Sequence, residues 1–96
     1  MRILITYDVE TTSHAGEKRL RQVAKACKDY GQRVQNSVFE CEVNESQFVT
    51  LKNIIDRIID KQLDSVRIYK LGKTPQLHTI ILGKETSYNV DSLLLI

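Results

Sequence analysis

The chain has 96 residues, of which 27% are charged and 42% hydrophobic, and its formal net charge at pH 7 is +2. This composition is typical of one small globular domain and excludes a disordered chain, while the net charge is too small to identify a nucleic-acid partner. No apolar run approaches the roughly 20 residues that span a bilayer, no signal peptide is visible, and the two cysteines form no C-x-x-C pair, so we expect a cytoplasmic protein with no membrane partner.

The first predicted element is an apolar strand from Arg2 to Asp8, which a polar loop follows. A helix is predicted from about Gly16 to Tyr30, with Ser13 as its N-cap and Gly31 at its C′ position. The apolar face of this helix recurs at positions i, i+3, i+4 and i+7 and consists of Leu20, Val23, Ala24 and Cys27.

The middle of the chain is predicted to be extended and then helical. Apolar side chains between Arg33 and Val43 change sides between Val38 and Phe39, which predicts a bulge or a break into two strands at that point. A second helix is predicted from a capping box at Asn44 to about Gln62. Three further strands are predicted: Ser65 to Leu71, Leu77 to Leu82 and Leu93 to Ile96.

This order predicts an α+β fold, a ferredoxin-like β-α-β-β-α-β sandwich with extra C-terminal strands and both helices on one sheet face. We expect residues 1–96 to form one domain. The aliphatic end of the chain would be an aggregation hazard if exposed, so we expect residues 77–96 to pack on a partner subunit in a homodimer.

Positive charge is concentrated in the first helix. From Glu17 to Arg33 there are six cations against two anions. The stripe predicted to bind nucleic acid consists of Lys18, Arg19, Arg21, Lys25 and Lys28. It would follow a phosphate backbone, where each neutralised phosphate adds salt-sensitive affinity. The alternative is a solvated helix face, and the sequence favours neither.

Asp8 is the candidate metal ligand and catalytic residue, because a carboxylate at the tip of a buried strand can present its oxygens to a hard cation such as Mg²⁺. Taken alone, an Asp at a strand end more often caps a loop. A twofold axis near the strand tip would favour the metal ligand over the loop cap, since two Asp8 side chains would then share one ion. Glu10, Ser13 and His14 are nearby candidates for positioning a substrate.

Three strings resemble those of one family. They are Tyr7-Asp8, the segment Tyr30 to Glu40 containing Arg-Val-Gln-x-Ser-Val-Phe-Glu, and Asp64-Ser65-Val66-Arg67-x-Tyr69. Together they resemble the Cas2 family, the small CRISPR-associated adaptation proteins. The resemblance covers essentially the whole chain, and residues 91–96 resemble members from subtype I-C systems.

The resemblance implies a homodimer whose C-terminal strands reach across to the partner. It also implies one Mg²⁺ shared by Asp8 of the two subunits. Members are described as metal-dependent endonucleases of single-stranded RNA or double-stranded DNA that serve spacer acquisition in antiviral defence, beside a larger CRISPR integrase subunit. Tyr7, Arg33, Ser37 and Phe39 match the family strings and are further candidates for substrate positioning.

The sequence therefore leaves two main alternatives for the function. The first is a Mg²⁺-dependent endonuclease, whose paired aspartates predict a strong dependence on pH. The second is a non-catalytic dimer that binds DNA and scaffolds the spacer-integration complex. A toxin-type mRNA ribonuclease similar to virulence-associated protein D is a more distant third, because the string from Arg33 to Glu40 fits that family less well.

Overall fold

The computed structural model describes residues 1–72 and 78–84, and the elements lie in the order β-α-β-β-α-β-β. Their bounds are β1 Arg2–Asp8, α1 His14–Lys28, β2 Gly31–Gln35, β3 Val38–Glu42, α2 Glu45–Ile58, β4 Ser65–Leu71 and β5 His78–Gly83. The predicted strand Leu93 to Ile96, and with it most of the segment predicted to pack on a partner, lies outside the described residues.

The strands form one antiparallel sheet in the order β2-β3-β1-β4-β5. The central strand β1 pairs with β3 on one side and with β4 on the other, which is the arrangement of a ferredoxin-like sandwich and confirms the predicted fold. The alternation of β1 places Ile3, Ile5 and Tyr7 in the core. Full burial of one such aliphatic side chain contributes about 1.5–3 kcal/mol to folding.

Both helices cover the same face of this sheet. Helix α1 buries Val23 and Cys27, and α2 buries Leu51 and Ile55, in one cluster with the inward residues of β1. Ser13 caps α1 as predicted, and Asn44 forms the predicted capping box with Gln47 before α2. Neither helix within residues 1–72 and 78–84 combines the length and apolar character that crossing a membrane requires.

The prediction for the end of the first helix was wrong. Helix α1 runs from His14 to Lys28, and Gly31 opens β2 instead of occupying the C′ position. Glycine is needed here because of a close approach between neighbouring strands. A Cβ on Gly31 would meet the carbonyl oxygen of Glu40 and would lie 2.6 Å from Sγ of Cys41.

The two strands of the middle segment meet at a tight turn of Asn36 and Ser37, not between Val38 and Phe39. Ser37 has a φ of 62°, so the left-handed residue that closes the hairpin is a serine. The register of β2 against β3 also shifts between Arg33 and Gln35, which accounts for the change of side seen in the sequence pattern.

Helix α2 ends at Ile58, before the predicted Gln62. The chain then turns around Asp60, whose Oδ1 accepts hydrogen bonds from the backbone N–H groups of Gln62 and Leu63. Aspartate commonly stabilises turns in this way, in competition with the helix. This turn delivers the chain to Asp64, at the start of β4.

Candidate active site and nucleic-acid interface

Asp8 is the last residue of β1, where its register partner is Ser65, the first residue of β4. The side chain is exposed, and strand alternation places it with Leu4 and Thr6 on the sheet face away from the helices. The backbone just before it is fixed, because the N–H of Tyr7 donates to the carbonyl oxygen of Ser37 at 3.0 Å. A rigid backbone therefore presents a solvent-exposed carboxylate.

Asp8 has the chemistry of a magnesium ligand, but the described part of the chain does not surround it with a full set of ligands. Among residues 1–72 and 78–84, no group of three or more His, Cys, Asp or Glu side chains is arranged to hold a metal ion. Mg²⁺ is commonly bound by one or two carboxylates, with water or substrate oxygens completing its coordination. The exposed carboxylate of Asp8 suits that requirement as one ligand.

Glu10 and Ser13 bond within the loop between β1 and α1. Oε1 of Glu10 accepts from both the N–H and the hydroxyl of Thr12. These bonds lower the pKa of the Glu10 carboxyl. Oγ of Ser13 accepts from the N–H of Gly16 at 3.0 Å and caps α1. Both side chains therefore shape the loop beside Asp8, and substrate would have to compete for them.

His14 is the first residue of α1, and its side chain is fully exposed. Its Nδ1 lies 3.7 Å from Oε2 of Glu17, one turn along the helix. The imidazole is thus the predicted positioning group most accessible to a substrate in this loop.

Tyr7, Arg33 and Phe39 form one cluster on the helix-covered face of the sheet. The rings of Tyr7 and Phe39 stack with centroids 6.2 Å apart, and the guanidinium of Arg33 lies 5.2 Å from the Phe39 centroid. Burial raises the pKa of the Tyr7 hydroxyl, although the neighbouring Arg33 opposes this effect. The sequence grouped these residues with Asp8, whereas strand alternation places them on the opposite face of the sheet.

Two basic residues of α1, Lys25 and Lys28, reach this cluster. Lys18, Arg21, Lys25 and Lys28 are exposed. Lys25 and Lys28, together with Arg33 and Phe39, line an open cleft of about 610 Å³ between α1 and β2. We call this cleft the cationic cleft. Three positive charges around this cleft can accept phosphate groups.

Arg19 differs from the other cations of the stripe. Its side chain is 15% exposed, and its Nε donates to Oδ2 of Asp64 at 2.7 Å. Hydrogen bonding to Asp64 raises the pKa of the guanidinium. The guanidinium thus belongs to an internal ion pair and not to the exposed part of the stripe.

Asp64 and Arg67 were not among the predicted site residues, although both lie in a string that the family resemblance drew on. Asp64 is fully buried and binds the loop next to Asp8. Arg67 is 6% exposed and pairs in register with Thr6, so its side chain lies on the same sheet face as Asp8. The signal in the sequence was Asp64 itself, a carboxylate directly before an apolar strand.

Comparisons with known proteins agree with one another. The family model described as CRISPR associated protein Cas2 matches residues 1–78. The CRISPR-associated endonuclease Cas2 of Halalkalibacterium halodurans is 50% identical over 95 residues, covering 99% of each chain. A CRISPR-associated endoribonuclease Cas2 of Moorella thermoacetica is 50% identical over 96 residues, covering all of both chains. The crystal structure of Streptococcus pyogenes Cas2 covers 76% of this chain and 88% of its own, with 60% identity and a TM-score of 0.71.

Proposed function

The chain belongs to the Cas2 family of CRISPR-associated proteins, and on that premise we propose that it is a Mg²⁺-dependent endonuclease of CRISPR adaptation. The observation that carries the proposal is the exposed carboxylate of Asp8 at the rigid end of the central strand. Relatives named as an endonuclease and an endoribonuclease support the phosphodiester as the bond that is cleaved.

The site is completed by a second copy of the chain. One subunit contributes one carboxylate at Asp8, so a twofold axis beside the tip of β1 would bring two such carboxylates together. Two close carboxylates repel unless a cation offsets their charge, which gives the dimer a reason to bind a divalent ion there. The homodimer, the larger integrase subunit as a partner and a cytoplasmic location are parts of the same proposal.

Asp8 of each subunit would hold the ion, and the chain supplies the remaining functions around it. Bound Mg²⁺ lowers the pKa of water and offsets negative charge on a phosphodiester. The hydrogen bond between Tyr7 and Ser37 keeps the strand end in place before Asp8. His14, exposed at the start of α1, can contact the substrate near the ion.

Cleavage of labelled single-stranded RNA and double-stranded DNA by wild type and Asp8→Asn tests the nuclease, with Mg²⁺ or EDTA and across pH. Asp29→Asn is the matched control, because it removes the same charge at an exposed position beyond α1. We expect cleavage of at least one substrate that needs both Asp8 and the metal. Cleavage that survives Asp8→Asn or EDTA would contradict the proposal.

The cationic cleft favours a second function, binding of duplex DNA as a scaffold. Lys25, Lys28 and Arg33 would neutralise phosphates on the helix-covered side, away from Asp8. The double variant Lys25→Glu/Lys28→Glu should weaken duplex binding and reduce the slope of log K against log salt by about one for each phosphate that is no longer neutralised.

Lys61→Glu controls for the reversal of one exposed charge on a different part of the surface. Unchanged affinity and an unchanged salt slope in the double variant would show that the cationic cleft does not bind duplex DNA. Loss of duplex binding with unchanged RNA cleavage would separate the two functions.

A further inference from the structure

Asp64 is a buried carboxylate to which the proposed nuclease reaction gives no role. The residue is 0% exposed. From the sequence it could be recognised only as a carboxylate directly before an apolar strand. Four hydrogen bonds reach its two oxygens. Oδ2 accepts from Nε of Arg19 at 2.7 Å and from the N–H of Asp60 at 2.8 Å. Oδ1 accepts from the N–H of Glu10 at 3.0 Å and from a terminal nitrogen of Arg19 at 3.4 Å.

The bond to Glu10 fixes the chain on the C-terminal side of Asp8. The N–H of Tyr7 is held by Ser37 on one side, and the N–H of Glu10 is held by Asp64 on the other. Asp8 therefore lies between two anchors, while its own register partner is Ser65, the residue that follows Asp64. The Glu10 carboxylate also lies 3.9 Å from Arg19, so the same pair of residues, Asp64 and Arg19, ties this loop to the end of β4.

We propose that Asp64, with Arg19 as its counter-charge, is a positioning residue for Asp8. Arg19 holds the carboxylate ionised and oriented, and the carboxylate holds the Glu10 amide, so the Asp8 side chain is presented in one place. The inference rests on the proposed metal-binding role of Asp8. Under this proposal Arg19 acts inside the protein by orienting Asp64. It does not act by contacting nucleic acid.

A displaced ligand is costly for catalysis. Groups that orient a metal ligand without touching the metal commonly change metal affinity or activity by about 10- to 100-fold when removed. A misplacement of about 1 Å at a reacting group has a similar effect. Asp64 acts on Asp8 through two residues of backbone, so we expect Arg19→Ala and Asp64→Asn to raise the Mg²⁺ requirement or lower the rate by about tenfold or more.

Three variants and one control isolate the effect. Arg19→Ala removes the counter-charge of Asp64 and also the 3.9 Å contact between Arg19 and Oε2 of Glu10. Arg19→Lys restores one charge without the forked geometry. Asp64→Asn removes the negative charge and leaves Arg19 in place. The control is Asp56→Asn, which breaks an exposed ion pair with Lys61 at 3.4 Å on another part of the surface. A melting curve for each variant restricts the comparison to folded protein.

The first readout uses no metal and no substrate. Amide hydrogen exchange and the amide resonances of Asp8 and Glu10 are followed by NMR. We expect Arg19→Ala and Asp64→Asn each to lose protection at Glu10 and to shift Asp8, while Ile3 and Ile5 in the middle of β1 stay protected. Arg19→Lys should restore part of the protection. Wild-type protection of Glu10 in a folded Arg19→Ala variant would overturn the inference.

The second readout is cleavage as a function of Mg²⁺ concentration. Cleavage that falls with Glu10 protection and recovers partly in Arg19→Lys supports the positioning role. Cleavage that falls while Glu10 and Asp8 stay unchanged would show that Arg19 contacts the substrate instead, and would overturn the inference. If wild type cleaves nothing, the nuclease proposal fails by itself, and the amide readout still decides whether Asp64 positions Asp8.

Discussion

Replacing Asp64 by Asn should be the most destabilising charge-removing substitution in the described part of the chain. The carboxylate is fully buried and accepts hydrogen bonds from Arg19, Asp60 and Glu10. A hydrogen bond to a charged group is worth about 1.5–3 kcal/mol, and one amide oxygen can replace only part of this set. Loss of about two such bonds lowers the free energy of unfolding by about 3–5 kcal/mol, the range seen when a buried pair loses one partner.

The loss lies at the lower end of this range, because the Arg19 side chain is 15% exposed and regains some water. A loss of about 3 kcal/mol corresponds to a fall of about 12–24 °C in Tm for a chain of this size. Urea unfolding at fixed protein concentration measures it, since the proposed dimerisation would make stability depend on concentration. Asp56→Asn, at a half-exposed ion pair, should change stability by less than about 1 kcal/mol.

The contribution of the Asp64 carboxylate to the free energy of unfolding should disappear in acid. Burial alone would raise the pKa of Asp64, but Arg19 and the N–H groups of Asp60 and Glu10 outweigh it, so the pKa of the folded protein lies below the ordinary value of 3.8. A lowered folded pKa means that the stabilisation is present above the unfolded pKa and is lost as pH falls through the folded one. The difference between wild type and Asp64→Asn should therefore be constant near pH 7 and shrink below about pH 4. A difference under about 1 kcal/mol at pH 7, or one that stays constant into acid, would refute the reasoning.

Three further predictions concern closely packed positions. The hydroxyl of Tyr69 is buried with no hydrogen-bond partner in the described part of the chain, so Tyr69→Phe should leave Tm unchanged or raise it; a clear fall would contradict this. Gly31→Ala should cost about 1–3 kcal/mol in urea unfolding, because the new methyl group meets the backbone of β3, and wild-type stability would disprove the close approach. Burial raises the pKa of Cys27 to about 12, so its thiol should react with a disulfide reagent at pH 8 only after unfolding; rapid labelling of the folded protein would show that it is accessible.

The sequence was informative where one periodicity dominates. The strands Arg2 to Asp8 and Ser65 to Leu71 have the predicted bounds, because their alternation or their apolar run is uninterrupted. The hairpin between β2 and β3 was misplaced, since its left-handed residue is Ser37 and not the glycine or asparagine that usually marks such a turn. Gly31 was assigned to a helix end because a steric need between strands leaves no local signal.

The candidate site was only partly predictable for a similar reason. Asp8 could be recognised from its place at a strand end, and Arg33 and Phe39 from a family string. Local sequence does not show that Arg19 turns inward to Asp64, 45 residues away, while its neighbours in the stripe stay in solvent. Nor does it show that Phe39 lies on the opposite sheet face from Asp8, which follows from register.

In the proposed dimer, Asp8 of the two subunits forms one metal site. Dimers with one wild-type and one Asp8→Asn subunit, isolated by two affinity tags, test it most directly when their Mg²⁺-dependent cleavage is compared with that of both parent dimers. A shared site predicts that the mixed dimer cleaves little at the wild-type Mg²⁺ concentration, because the ion has lost one of its two carboxylates. Retention of about half the wild-type rate would show that each subunit carries an independent site, and would contradict the account.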